Sequence, residues 1–452
     1  MDTKLTRITE VAKQKPKEKF TSLVHLINEE SLKKSHQEMD GKRAVGVDGV
    51  TKEKYGKQLG ENLTDLVQRM KRQAYRPQAV RRVYIEKAGS HKKRPLGIVA
   101  YEDKLVQAVM ADVLNAIYEP EFLNHSFGFR PGRGPHDALK ALNDILYFQP
   151  INVIVDVDIR GFFDHVDHNW MMKFLEHRIA DPNFLRLIRR FLKAGIMEGN
   201  VMYETDEGTI QGGNISPILA NIYLHYVIDL WYEKRIRKQC RGQALMVRFA
   251  DDLVFCFQKE EEAREFYKEL CQRLKDFGLE IAEEKTKILT FGREAYKAYQ
   301  EEKKDKDKDK GQGPRKPGTF DFLGFTHYCS TGRNGRFRIK RKTSNKKYRA
   351  SLAKVKNWIQ KQRHLPKKIL MEMLGVKLRG YYQYYGVLDN SRMLEKFSDK
   401  TKQYLFKYLN RRSQRKSLTW EGFNLLLRMV PLPRPRIYHK LTQIKPNIGV
   451  LW

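Results

Sequence analysis

Residues 244–257 read ALMVRFADDLVFCF. The flanks ALMVRF and LVFCF are rich in β-branched and aromatic residues, and the ADD between them is short enough for a tight turn. The stretch therefore reads as a hairpin with Asp251 and Asp252 at its tip. Along a straight strand successive side chains point to opposite faces, whereas at a turn two adjacent carboxylates can approach one site. Taken alone, such a pair is an ordinary solvated turn, because Asp bonds its own backbone there. A second acidic strand changes the reading. In INVIVDVDIRGFFDHVDH (151–168), Ile151, Val153, Val155 and Val157 fall on one face, and Asp156 and Asp158 fall on the other beside Ile154. Carboxylates converging from two buried strands repel one another unless divalent cations neutralise them, and hard oxygen donors point to magnesium.

The chain has 452 residues, 41% of them hydrophobic, enough for a substantial core and two to three structural units. Its formal net charge of +33, from 87 Lys plus Arg against 54 Asp plus Glu, implies a polyanionic partner. No stretch approaches ~18 uninterrupted apolar residues, so an anionic membrane is disfavoured against nucleic acid. The opening MDTKLTRITEVAKQKPKEKF lacks the apolar core of a secretory signal. Cys240, Cys256, Cys271 and Cys329 form no CxxC pair and no zinc pattern, which fits a reducing cytoplasm. Magnesium on carboxylates in a strongly basic chain suits phosphoryl transfer to a nucleic-acid hydroxyl, two ions ~3.5–4 Å apart serving the attacking and leaving oxygens.

Four segments are expected. Residues 1–60 are polar and helical around FTSLVHLINEESLKKSHQEM, and they read as an N-terminal extension rather than core. Within 61–299, RRVYIEKAGSHKKRPLGIV alternates like a hairpin, and YEDKLVQAVMADVLNAIYEP places Leu105, Val109, Val113 and Ile117 on one helical face before Pro120. Residues 300–318, including EEKKDKDKDKGQGPRKPG, form a charged linker or loop without apolar residues. Residues 319–452 open with strand-like FDFLGF and continue as a basic, mostly helical region. There the tyrosines of LRGYYQYYG suit either base stacking or a helical core stripe.

The ordered series KAGSHKKRPLGI, SFGFRPGRGPHDAL, DVDIRGFFDHVDH, EGTIQGGNISPILANIYL, VRFADD, GLEIAEEKTKI and FDFLGF resembles the blocks of a group II intron-encoded reverse transcriptase and maturase. FADD alone is a weak signal, while the set is highly specific. The resemblance implies an α+β right-hand polymerase: fingers and palm with an antiparallel palm sheet over 61–299, and palm end, thumb and maturase region over 319–452. It also implies the short type without a C-terminal endonuclease domain. Phe249 stands where the family usually has Tyr, which keeps the ring and loses a hydroxyl.

The same resemblance assigns roles. Asp158, Asp251 and Asp252 become the catalytic, metal-holding carboxylates for two Mg2+ ions, which Mn2+ can replace. Asp156 is a peripheral polar residue, and Asp164 and Asp167 read better as helix caps than as ligands. Lys87 and Arg94 resemble the fingers residues that close on a triphosphate. Gln211 and Gly212 line the incoming nucleotide, Lys285 stands near the leaving phosphate, and Phe163 lies beneath the sugar as a gate against a 2′-hydroxyl. Ser216 and Pro217 shape the start of the following helix.

The implied reaction is RNA-templated DNA synthesis, in which a 3′-hydroxyl on a DNA or RNA primer is extended with dNTPs, together with binding of structured group II intron RNA. Two alternatives stand beside it: a free-standing relative in repair or phage defence, and a protein that is mainly an RNA-binding splicing cofactor. The basic tail suits the cofactor reading, while the intact acidic set suits polymerisation.

Overall fold

The computed structural model describes residues 2–86, 93–199, 201–204, 207–209, 212–304, 316–332, 334–412 and 418–441. Among these residues, eleven strands form three sheets. β1 (Val80–Glu86) and β2 (Lys93–Ile98) make the expected antiparallel hairpin, whose tip lies outside the described residues. β3 (Val153–Asp158) is followed by the short β4 (Ile196–Glu198) and β5 (Val201–Tyr203), which join the β1–β2 hairpin in the order β2-β1-β4-β5. β6 (Ala244–Phe249) and β7 (Asp252–Phe257) form the acidic hairpin, and β8 (Lys287–Thr290) completes an antiparallel sheet of order β6-β7-β3-β8. β9 (Phe320–Phe322), β10 (Phe325–Thr331) and β11 (Phe337–Thr343) form a meander. The FDFLGF segment supplies its first turn, with Leu323 and Gly324 both at positive φ. This is the mixed antiparallel architecture expected of fingers and palm, followed by a helical C-terminal region.

The β6-β7-β3-β8 sheet is covered on both faces, which explains why its strands read as continuous apolar runs. Val153, Val155, Val157, Leu253 and Phe255 join a core built with the helices Tyr101–Tyr118 and Ser216–Leu224. Ile154, Leu245, Val247, Val254 and Cys256 join a second core with the helix Pro135–Phe148 and the C-terminal helices. Ile151 precedes β3 and packs in this second core, so it does not share the face of Val153 as the alternation suggested. The helix Tyr101–Tyr118 ends just ahead of Pro120, with Leu105, Val109, Val113 and Ile117 buried.

The N-terminal segment differs from expectation. Leu23, Leu26, Ile27, Leu32, Met39 and Tyr55 are buried in the same core as Leu66 and Leu105, so residues 1–60 are not a separate extension in packing terms. A few well-spaced apolar residues in a polar stretch suffice to dock it, and Asp181 anchors the entry. Its carboxylate accepts the backbone N–H of Leu23 at 2.7 Å and Val24 at 2.9 Å, and also caps its own helix at Asn183 and Phe184.

The C-terminal region carries the helices Asn345–Gln362, Lys367–Tyr385 and Ser391–Leu409, then Trp420–Met429. The tyrosine cluster resolves as a core stripe. Tyr382 and Tyr385 are buried, and Tyr381 stacks on Phe397 with ring centroids 3.6 Å apart. The first residues of the expected linker belong to the helix Arg293–Lys304, and 305–315 lie outside the described residues. Among the described residues no helix is long and apolar enough to cross a membrane.

Candidate active site

The hairpin places its carboxylates as its sequence required. β6 and β7 are joined by Ala250 and Asp251, and Phe249 pairs with Asp252 across the turn. Ala250 has φ 56°, an uncommon conformation for a residue bearing a Cβ. On the other side of β7, Asp252 stands opposite Asp158, the last residue of β3. Two strand ends and one turn thus deliver Asp158, Asp251 and Asp252 to one edge of the sheet.

The electrostatics register this crowding. Burial, with the Asp158 charge adding to it, raises the Asp251 carboxyl above its ordinary value against the opposing pull of Arg94 and Lys285. Asp252 is open to solvent on one side and hemmed in by protein elsewhere. That desolvation, then the charges of Asp251 and Asp158, push it up to about 6. Asp156, one step into the strand, is pushed up to about 7 by burial and then by Asp252, with Lys287 opposing. On β3 it stands in register between Val254 of β7 and Lys287 of β8.

Lys285 lies nearest the acidic edge. Its Nζ is 2.6 Å from Asp158 Oδ1, and its loop is tied to β3 by the Ala282 N–H donating to the Asp158 carbonyl at 2.8 Å. Arg94 is exposed on β2, close enough for its charge to act on both Asp251 and Asp252. Gly212, at φ 120°, passes so close to β2 that a Cβ would lie 2.7 Å from the Gly97 carbonyl oxygen, so only glycine fits there. Phe163 is half-buried, edge-on to the buried Phe162 at 5.3 Å between centroids. It lines a cavity of about 450 Å³ with Pro95, Gly97, Asp164 and Thr209, between the fingers hairpin and the palm. Asp167 caps the helix His168–Glu176 through the Trp170 N–H at 2.7 Å, and Ser216 and Pro217 open the helix Ser216–Leu224, both as expected. Lys87 and Gln211 lie outside the described residues.

The donor set, carboxylates whose like charges raise one another, suits a hard divalent cation. The expected convergence is not complete, however: among the described residues no group of three or more His, Cys, Asp or Glu side chains is gathered closely enough to hold an ion as it stands. Asp158 is paired here with the Lys285 ammonium.

The sequence reading passed over Arg248, Asp229, Asn221 and Gly128, which lie directly behind the acidic turn. The signal available was a lone Arg inside an apolar strand, since a charge there needs a buried partner.

Comparison with known proteins accords with this geometry. Residues 85–327 match the family described as reverse transcriptase (RNA-dependent DNA polymerase), and residues 348–424 match the group II intron, maturase-specific domain. The chain is similar to the group II intron-encoded protein LtrA of Lactococcus lactis subsp. cremoris, with 37% identity over 222 residues, covering 49% of this chain and 37% of that protein. It is 32% identical over 280 residues to protein YkfC of Escherichia coli (strain K12), covering 55% of this chain and 73% of YkfC. A 91 kDa protein in the cob intron of Schizosaccharomyces pombe is 42% identical over 160 residues, 35% of this chain and 20% of that one.

Proposed function

The chain belongs to the reverse transcriptase (RNA-dependent DNA polymerase) family, and from that premise we propose that it extends a 3′-hydroxyl primer with dNTPs along an RNA template. The observation that carries this reading is the register of Asp158 against Asp252 with Asp251 on the adjoining turn. Asp158, Asp251 and Asp252 would hold two Mg2+ ions, or Mn2+ in their place. Metal bound there would supply activation of the primer oxygen and charge stabilisation for the leaving pyrophosphate. Arg94 and Lys285, whose charges already act on the carboxylates, would orient the triphosphate, and Lys87 and Gln211 are assigned to the same nucleotide by their motifs. Phe163 faces the cavity in which the sugar would lie.

We assign the C-terminal region to intron RNA, as its maturase-specific match supports, and expect the protein to aid splicing of a group II intron. The four cysteines are free, which supports a reducing, cytoplasmic setting. The test is primer extension on an RNA template in Mg2+ or Mn2+, with binding of template–primer and of intron RNA measured in parallel. Extension by the wild type that is lost in Asp251→Asn supports the reading. RNA binding and splicing aid without extension would leave only the splicing cofactor.

A further inference from the structure

Arg248 lies three residues before Asp251 and is wholly buried, as is Asp229 beneath it. The guanidinium grips that carboxylate with two bonds, Nε to Oδ1 at 2.8 Å and Nη2 to Oδ2 at 2.6 Å. Its remaining nitrogen, Nη1, donates to Asn221 Oδ1 at 3.0 Å and to the Ala250 carbonyl at 3.2 Å. Ala250 is the residue at φ 56° that turns the chain into Asp251. From the other side Gly128 presses on the same residue: a Cβ there would lie 2.3 Å from the Ala250 nitrogen. Asn221 closes the circuit, donating Nδ2 to the Gly128 carbonyl at 2.7 Å.

Three observations set this network apart from ordinary packing. A buried ion pair adds little to stability compared with apolar residues of the same volume, so its presence calls for another reason. A non-glycine residue at positive φ persists only where its surroundings over-determine it, and here a guanidinium and a close-packed glycine do so together. Asp229 ends a π-helical turn, His225–Asp229, an irregularity common at functional sites. His125 and His225 approach the same carboxylate at 3.7 and 3.8 Å, too far for hydrogen bonds.

We propose that the Arg248–Asp229 pair is a positioning device for the catalytic turn: the guanidinium, held square by Asp229, fixes the Ala250 carbonyl and thereby the placement of Asp251 and Asp252. The inference rests on the polymerase reading above. Neither residue touches substrate, and both act through the turn.

The test separates positioning from support of the fold. The double variant R248M/D229L exchanges the pair for apolar side chains, so melting close to wild type is expected while the bond to Ala250 is lost. Single-nucleotide extension should then show kcat lowered about 100-fold, the cost of misplacing reacting groups by ~1 Å. KM for the dNTP should stay within about threefold, and template–primer affinity should not change. R248K keeps the charge without the fork, and its kcat should fall as well. Wild-type kcat in a folded double variant would overturn the proposal, and so would failure of both variants to fold, which would make the pair a folding requirement only. If the wild type itself does not extend a primer, the polymerase reading fails instead.

Discussion

Asp158 and Asp252 stand directly opposite each other on adjacent antiparallel strands, with Asp251 one residue before Asp252 on the turn. Carboxylates on facing strands are mutually repulsive and weaken the sheet locally, so stability does not account for their joint presence. Asp251→Asn should abolish primer extension while affinity for RNA, which rests on the basic surfaces, stays within about threefold of wild type. Parallel loss of binding and extension would indicate a structural role.

Lys285 meets Asp158 at an ion pair whose two side chains are 50% and 40% exposed, so it adds little to stability. Lys285→Met is expected to leave the melting temperature unchanged and to lower extension about tenfold or more, because a positive charge at the reacting edge is lost. A drop in melting with full activity would assign the lysine to the fold.

Phe162 and Phe163 are neighbours with opposite expected outcomes. Phe162 is buried, and Phe162→Ala should cost ~3–5 kcal/mol of stability as a core cavity. Phe163→Val, at the cavity wall, should fold and accept ribonucleotides better relative to deoxynucleotides, because steric exclusion of the 2′-hydroxyl is relaxed. Single-nucleotide extension with each sugar decides, and unchanged selectivity in a folded variant removes Phe163 from the site.

Asp181 should couple the N-terminal segment to acid stability. Burial raises its carboxyl, but four backbone N–H groups, from Leu23, Val24, Phe184 and Asn183, outweigh that and hold it below its ordinary value. A depressed carboxyl contributes stability that is present above its unfolded pKa, ~4, and is lost as pH falls through the lower folded value. Asp181→Ala should cost roughly 2–4 kcal/mol near neutral pH and flatten the acid limb of a denaturation–pH profile. Unchanged acid behaviour would mean the carboxylate does not hold this junction.

Tyr381 lies flat against Phe397 between two C-terminal helices. Tyr381→Ala should lower the melting temperature through lost packing, with RNA affinity falling only as the helices loosen. Loss of affinity in a variant of wild-type stability would restore base stacking as its role.

The acidic hairpin, its partner strand and the helix before Pro120 were legible in the sequence because each depends on local periodicity and turn chemistry, and the motif set named the family. The roles of Asp158, Asp251 and Asp252 came from that motif set and not from periodicity, while the register of β3 against β7 sets Asp158 opposite Asp252. Three matters were decided only by the tertiary structure. The segment 1–60 proved part of the core because a few apolar residues, Leu23 to Tyr55, pack against distant helices, and Asp181, more than 150 residues away, accepts from the backbone at its entry. The tyrosines fell to the core because the fold buries Tyr382 and Tyr385 and sets Phe397 against Tyr381, which no local pattern predicts. Arg248 acquired meaning only when the fold brought Asp229, Asn221 and Gly128 behind one strained alanine. Periodicity specifies which face of an element is apolar, whereas the pairing of a buried charge depends on which distant group arrives to neutralise it.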